Sequence, residues 1–258
     1  MRYNPPMQTA LLLNPPAPRP VFRDHYCASE SKGGAYLWHP LDLLIQGACL
    51  KEAGYDLIPI DAIALKLDLD TVLKRLEGRI PDVALVLVSR RSWIGDKITL
   101  WALKNLGIKT IVASGDFLRF GEAPVDEAEG LVDFVLTDFT THHLAQSLKS
   151  GVPAGGGVAT LEDVKAGEFR DLGRQLLAYP CPDPDLFAPA AYRLPYPGFT
   201  PIASILTTYG CPHHCKYCHV GELGARLRDP GDILEEVALA KARGYGHIYF
   251  RDATLNAN

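Results

Sequence analysis

The chain has 258 residues, 47% of them hydrophobic and 22% charged, with a formal net charge of -4. These values suit a soluble protein of one large or two medium domains and give a nucleic-acid-binding face no electrostatic footing. The longest apolar stretches, Ala10 to Leu13 and Val83 to Val88, are far too short to span a bilayer, so no membrane role is expected.

Thr9 to Asn14 is a short apolar run stopped by Pro15-Pro16, which predicts a buried strand followed by a loop. The same prolines break the one apolar run near the start, so a signal peptide is not expected and the cytoplasm is. A polar stretch with Gly33-Gly34 leads to Pro40. From Leu41 to Ala53 apolar residues recur at helical spacing and Gly54 supplies a stop. Tyr55 to Ile60 reads as a strand with Asp61 at its end, Leu69 to Leu76 as a helix, and Val83 to Val88 as a third strand. Ile94 to Leu106 is helical to Gly107, Lys109 to Ala113 is a fourth strand, Phe134 to Thr137 a fifth, and His142 to Leu148 a helix.

Alternating strands and helices joined by short turns predict an α/β fold, a doubly wound parallel sheet with helices on both faces. The strands are apolar throughout, as expected when both faces are covered. Such a sheet binds ligands outside the carboxyl ends of its strands, here Asn14-Pro15-Pro16, Asp61, Ser89 to Trp93, Ser114-Gly115-Asp116 and Thr137-Asp138. No Gly-x-Gly-x-x-Gly follows the first strand and no Gly-x4-Gly-Lys-Ser/Thr occurs, which argues against dinucleotide and phosphate-loop sites.

This α/β unit is assigned to residues 1–150, a Gly/Pro-rich connection to 151–200, and a second unit to 201–258. The connection opens on Gly155-Gly156-Gly157, read as a loop, continues through a helical patch from Leu161 to Ala178, and then collects Pro180, Pro182, Pro184, Pro189, Pro195 and Pro197. In the second unit Ile202 to Leu206 reads as a strand and Thr207 to Val220 as a loop. Asp229 then caps a helix with Pro230 at its first position, Ile233, Val237 and Ala240 on one face, and Gly244 at its end. His247 to Phe250 is a further strand.

Six cysteines are too few for a disulfide scaffold, whereas three of them, Cys211, Cys215 and Cys218, lie within one loop, as expected of a metal site in a reducing compartment. Intervals of four and three residues let a tight loop wrap three corners of a cubane 4Fe-4S cluster and leave the fourth iron open. Zinc is the rival, with Cys211, His213, His214, Cys215, Cys218 and His219 as possible tetrahedral ligands. A non-catalytic zinc or iron-sulfur binding module therefore stays open as an alternative.

Cys211-x3-Cys215-x-Tyr217-Cys218 directly after a strand resembles the signature of the radical S-adenosylmethionine superfamily. The resemblance implies that the open iron chelates the amino and carboxylate groups of S-adenosylmethionine, that the reduced cluster cleaves its sulfonium to a 5′-deoxyadenosyl radical, and that Tyr217 packs near the adenine. Arg226-x-Arg228-x-Pro230, the helix with Glu235 and Glu236, and Tyr249-Phe250-Arg251-Asp252 resemble the family's passage to its second barrel strand. That likeness makes Arg251, Asp252 and Thr254 candidates for the methionine end of the cofactor.

An α/β domain ahead of this signature resembles the cobalamin-binding subclass. The resemblance implies a nucleotide tail slipping between sheet and helices at the strand ends, with Asn14, Ser89, Ser114 and Gly115 as candidate contacts. The cobalt-ligating Asp-x-His-x-x-Gly of many cobalamin domains is absent, since Asp24-His25 has the wrong spacing. Methylthiotransferases carry a second cluster, for which Cys27, Cys49 and Cys181 would be the candidates, and no such cluster is expected. The implied activity is methyl transfer to an unactivated carbon of a small-molecule or peptide substrate, with a porphyrin-cyclase-like ring closure as the alternative and an electron donor as partner. A partial barrel of six units needs roughly 200 residues, so the expectation is the amino-terminal portion of such an enzyme. It would be either a truncated gene product or a chain whose incomplete barrel another polypeptide completes.

Overall fold

The computed structural model describes residues 7–23, 28–30, 37–119, 125–173, 176–196 and 198–255. Asp24-His25, Cys27, Gly33-Gly34 and Pro197 lie outside them. In chain order the α/β unit comprises β1 (Thr9–Asn14), a small antiparallel hairpin of β2 (Val21–Arg23) and β3 (Ala28–Glu30), α1 (Leu41–Glu52), β4 (Asp56–Asp61), α2 (Leu69–Leu76), β5 (Val83–Leu87), α3 (Trp93–Leu106), β6 (Thr110–Ser114), α4 (Asp116–Arg119), β7 (Phe134–Leu136), α5 (Leu144–Ser150), β8 (Val158–Ala159) and α6 (Leu161–Ala166). The sheet runs β4-β1-β5-β6-β7-β8, parallel throughout except for β8, which pairs antiparallel with β7.

Two apolar layers hold this sheet. Side chains of a strand alternate between faces: Ala10 and Leu12 of β1 join α1 and α5 on one side, while Leu11 and Leu13 join α2, α3 and α6 on the other. Both sets are fully buried, which is why the strand is apolar without a break from Ala10 to Leu13 instead of at every second position. The doubly wound parallel sheet expected from the sequence is thus the observed fold.

Several local expectations change. The helical patch from Leu161 stops at Ala166, where Gly167 takes φ +69. The sheet's sixth strand, β8, lies beyond residue 150. Gly155-Gly156-Gly157 is a packed loop: the Thr141 hydroxyl donates to the Gly156 carbonyl at 2.7 Å, and the Gly157 carbonyl accepts from the Thr137 and Asp138 amides. The proline-rich stretch is not merely extended, because Leu177, Tyr179, Phe187 and Tyr192 are buried in the layer that contains α1.

The second unit is β9 (Ile202–Ile205), a hairpin of β10 (Thr208–Gly210) and β11 (Ala225–Leu227), α7 (Pro230–Ala242) and β12 (His247–Phe250). β9 and β12 are parallel neighbours crossed over by α7, whose cap is as expected: the Asp229 carboxylate accepts from the Gly231 amide at 2.7 Å. Ile202, Leu206 and Tyr209 share a core layer with α1, so the two units pack against each other.

Candidate functional site

The three cysteines leave the end of β10. Cys211 follows Gly210, and its amide donates to the Gly224 carbonyl at 3.0 Å, closing the neck of the hairpin. A Cβ on Gly210 would stand 1.6 Å from the Gly224 oxygen, and its φ is +77, so glycine is required there on both counts. Cys218 donates its amide to the Cys215 carbonyl at 3.0 Å, which turns the loop back on itself. Cys211 and Cys218 are half-buried against the core, Cys215 is exposed, and all three are free thiols.

Among the described residues no group of three His, Cys, Asp or Glu side chains is gathered so as to hold a metal ion. The donor chemistry nonetheless suits an iron-sulfur cluster: three soft sulfurs on one loop, one fewer than the four thiolates a cubane normally takes. His213 and His214 are exposed on the same loop.

Residues beyond β12 close around this loop. Asp252 accepts the Thr207 and Thr208 amides, both at 2.7 Å, and the Thr207 hydroxyl at 2.8 Å, so its carboxylate fixes the step from β9 into β10. The Thr254 hydroxyl lies 3.1 Å from the Cys211 sulfur. Arg251 stacks its guanidinium on Trp38 at 4.2 Å and donates its amide to Ile205. Tyr217 is 92% exposed, a free aromatic face on the cysteine loop. The structure thus brings Thr254 to Cys211, sets Asp252 at the entry to the hairpin, and leaves Tyr217 standing outward.

The candidates at the ends of the six-stranded sheet are buried and engaged with the protein. Asn14 donates to Asp61 at 2.9 Å and accepts from Arg23 at 2.8 Å. The Ser89 amide donates to Asp96, which also pairs with Arg23 at 2.7 Å. Ser114 donates to Asp42 of α1 at 2.6 Å. Gly115 is small because a Cβ there would stand 2.0 Å from the Val88 carbonyl oxygen. Burial raises the pKa of Asp61 and Asp96 against the pull of Arg23 and the other donors around them. As placed, Asn14, Ser89 and Ser114 are part of an internal scaffold. The open space at this edge lies elsewhere: clefts of about 620 and 660 Å³ flank Pro16 to Pro18 and share Gly95 and Ile98 of α3. Of the remaining thiols, Cys49 is buried in α1 with its pKa pushed up to about 12, and burial pushes Cys181 to about 11.

Two groups escaped the sequence reading, and so did the pairing of two residues it had named separately. Arg23 lies in a hairpin too short for periodicity to show. Tyr192, fully buried, donates to Asp61 at 2.8 Å and stacks on His39, whose Nδ1 is 3.2 Å from the Ser204 hydroxyl on β9. Arg226 of β11 forms a buried pair with Asp138 after β7. The one local signal was Asp42 and Gln46, polar residues one turn apart on an apolar helix.

No family model matches this sequence, and no curated protein sequence matches it. Solved structures do match. The radical S-adenosylmethionine methyltransferase TsrM from Kitasatospora setae, with cobalamin and a 4Fe-4S cluster bound, gives a TM-score of 0.60 at 18% identity over 96% of this chain and 48% of that one. The cobalamin-dependent S-adenosylmethionine radical enzyme OxsB, with aqua-cobalamin and S-adenosylmethionine bound, gives 0.67 at 15% identity over 96% of this chain and 34% of that one. The chain has the fold of part of these enzymes. It spans 34 to 48% of the length of the solved proteins it matches. Among its described residues no helix is long and apolar enough to cross a membrane.

Proposed function

We propose that the chain is the amino-terminal portion of a cobalamin-dependent radical S-adenosylmethionine enzyme. Cys211, Cys215 and Cys218 would hold three irons of a 4Fe-4S cluster and leave the fourth to S-adenosylmethionine. The observation that carries this reading is the cysteine loop itself, carried by the short β10-β11 hairpin that follows the first strand of a parallel β9-α7-β12 unit, with Thr254 against Cys211. Such a cluster, when reduced, supplies the electron that cleaves a bound sulfonium. The chain's own part is positional. Asp252 pins the entry to the loop, Thr254 offers a hydroxyl beside a ligand sulfur, and Tyr217 presents a ring on which adenine can stack.

Methyl transfer to an unactivated carbon is the reaction proposed, on the likeness to TsrM, with ring closure as the alternative outcome. Cobalamin enters on the likeness to TsrM and OxsB, while Asn14, Ser89, Ser114 and Gly115 as they stand are engaged within the protein. β12 pairs with β9, and the unit leaves Leu234, Phe250 and Leu255 exposed. We propose that further barrel strands, from a longer protein or a second polypeptide, cover them. An electron donor and a small-molecule or peptide substrate complete the proposed set of partners, in the cytoplasm.

The test is anaerobic reconstitution with iron and sulfide, followed by metal analysis and EPR of the reduced protein. About four irons per chain are expected, with a signal that changes on adding S-adenosylmethionine and is lost in Cys211→Ala, Cys215→Ala and Cys218→Ala. Zinc in place of iron in anaerobic preparations would favour the metal-binding module and sink the radical reading.

A further inference from the structure

We infer that Arg226 and Asp138 are a positioning pair that fixes the cysteine loop against the carboxyl end of β7, an assignment that rests on the cysteine-loop reading above. In the β10-β11 ladder Tyr209 faces Arg226 and Gly210 faces Ala225, so Arg226 stands two residues of register from Cys211. Its guanidinium lies over the Tyr209 ring at 4.5 Å and donates to the Asp138 carboxylate and to the Thr140 hydroxyl at 2.9 Å. Both members of the pair have side chains only 5% exposed.

The acceptor side is fixed in advance. Asp138 accepts the Thr140 amide at 2.9 Å and the Thr140 hydroxyl at 2.6 Å, which leaves one carboxylate oxygen for Arg226. Phe139, the residue between them, meets Tyr209 edge-on at 5.4 Å. Gln46 of α1 then holds the same turn from below, donating to the Phe139 and Thr141 carbonyls at 2.8 and 2.7 Å. A chain of directional contacts therefore runs from α1 through the turn after β7 to the neck of the cysteine loop.

Adhesion alone could be had from apolar packing at this seam, and Tyr209 with Phe139 provides it. A buried ion pair is a poor source of net stability, because desolvation consumes most of its attraction. What it adds is direction: a guanidinium bonded to a pre-oriented carboxylate tolerates little rotation or slip. The loop is thereby held at one distance and angle from the ligand-binding edge of the α/β sheet.

The variants Arg226→Gln, Asp138→Asn, the double variant and Arg226→Lys test this. Amide hydrogen exchange is followed in the metal-free full chain, and EPR after reconstitution. Loss of one partner of a buried pair should raise exchange across 208–227 on the order of 100-fold while β1, β5 and β6 keep their protection. With iron loaded, Arg226→Gln should give a broadened signal that no longer shifts on adding S-adenosylmethionine, Arg226→Lys should recover the shift, and the double variant should match Arg226→Gln. Unchanged exchange over 208–227, or a wild-type EPR shift in Arg226→Gln at equal iron content, overturns the assignment. Loss of protection across the whole sheet in Arg226→Gln would also overturn it, since the pair would then serve general stability. If wild type takes no iron the cysteine reading fails, and the exchange measurement still decides whether the pair docks the hairpin.

Discussion

His39 gives the sharpest test of how the two units are joined. It is buried where Tyr192 from the proline-rich connection and Ser204 from β9 meet, and burial lowers its pKa from 6.5 to about 4, against a partial pull the other way from Pro184 and Asp185. Between those values the unfolded ring carries a proton that the folded ring refuses. The stabilising contribution is thus complete above 6.5 and is lost as pH falls towards 4. At about 1.4 kcal/mol per unit, acidifying from near neutrality to about pH 5 costs roughly 2 kcal/mol, and about 3 kcal/mol once both forms are protonated. His39→Phe keeps the stacking on Tyr192 and removes the titration. The buried carboxylates Asp61, Asp96 and Glu236, whose pKa values burial raises, act with the opposite sign and are common to both proteins, so they cancel in the comparison. The assay is urea unfolding of wild type and His39→Phe at the two pH values, with an NMR titration of the ring. Equal losses of stability in the two proteins, or a ring titrating near 6.5, would refute the reasoning.

Gly210→Ala places a methyl group against the Gly224 carbonyl and forces φ +77 on a residue with a Cβ. It should cost at least about 2 kcal/mol locally and abolish cluster loading by iron analysis, with the far-UV spectrum kept. Tyr192→Phe takes one donor from buried Asp61, and its unfolding free energy should fall by about 1–3 kcal/mol in urea. Asp252→Asn should loosen the entry to the cysteine loop, seen as faster exchange at Thr207 and Thr208 by about 10-fold, while Asp252→Glu should not restore it. If the chain takes a corrin as proposed, cobinamide, which lacks the nucleotide tail, should bind as tightly as cobalamin, because a tail entering the space between β6 and α1 would have to break the Ser114–Asp42 bond. A strong preference for the tailed form would show that this space opens.

What the sequence disclosed follows the physics of local pattern. β1 and α2 were legible to the residue, because an apolar run ended by two prolines and a capped amphipathic turn are written in adjacent positions. The cysteine motif was legible for the same reason. Strands of two or three residues such as β2, β8 and β10 are shorter than any window in which alternation can show. Arg23 and Asp96 are 73 positions apart and Arg226 and Asp138 are 88 apart, so their pairing leaves no mark on either neighbourhood. Asp42 and Gln46 went unread although the signal is local, since a polar pair one turn apart on an otherwise apolar helix must find buried partners.

That division bears on how the ends of the sheet are used. Polar residues at strand ends are sensible ligand candidates only while their hydrogen-bonding capacity is unspent. Asn14 and Ser114 donate their side chains to Asp61 and Asp42 and Ser89 donates its amide to Asp96, and these carboxylates hold the ends of β1 and β5 and the first turn of α1. A buried carboxylate deprived of such a partner would bear the desolvation cost alone, so a ligand competing for these donors must replace them bond for bond. Asp138 shows the same economy turned outward: its carboxylate, at the end of β7, is spent on the hairpin that carries Cys211. The edge of the sheet is therefore committed first to holding loops in place. A cofactor there is expected to meet the surfaces those loops present, chiefly the clefts beside Pro16 to Pro18 and the exposed face of the cysteine loop, before it meets the strand ends themselves.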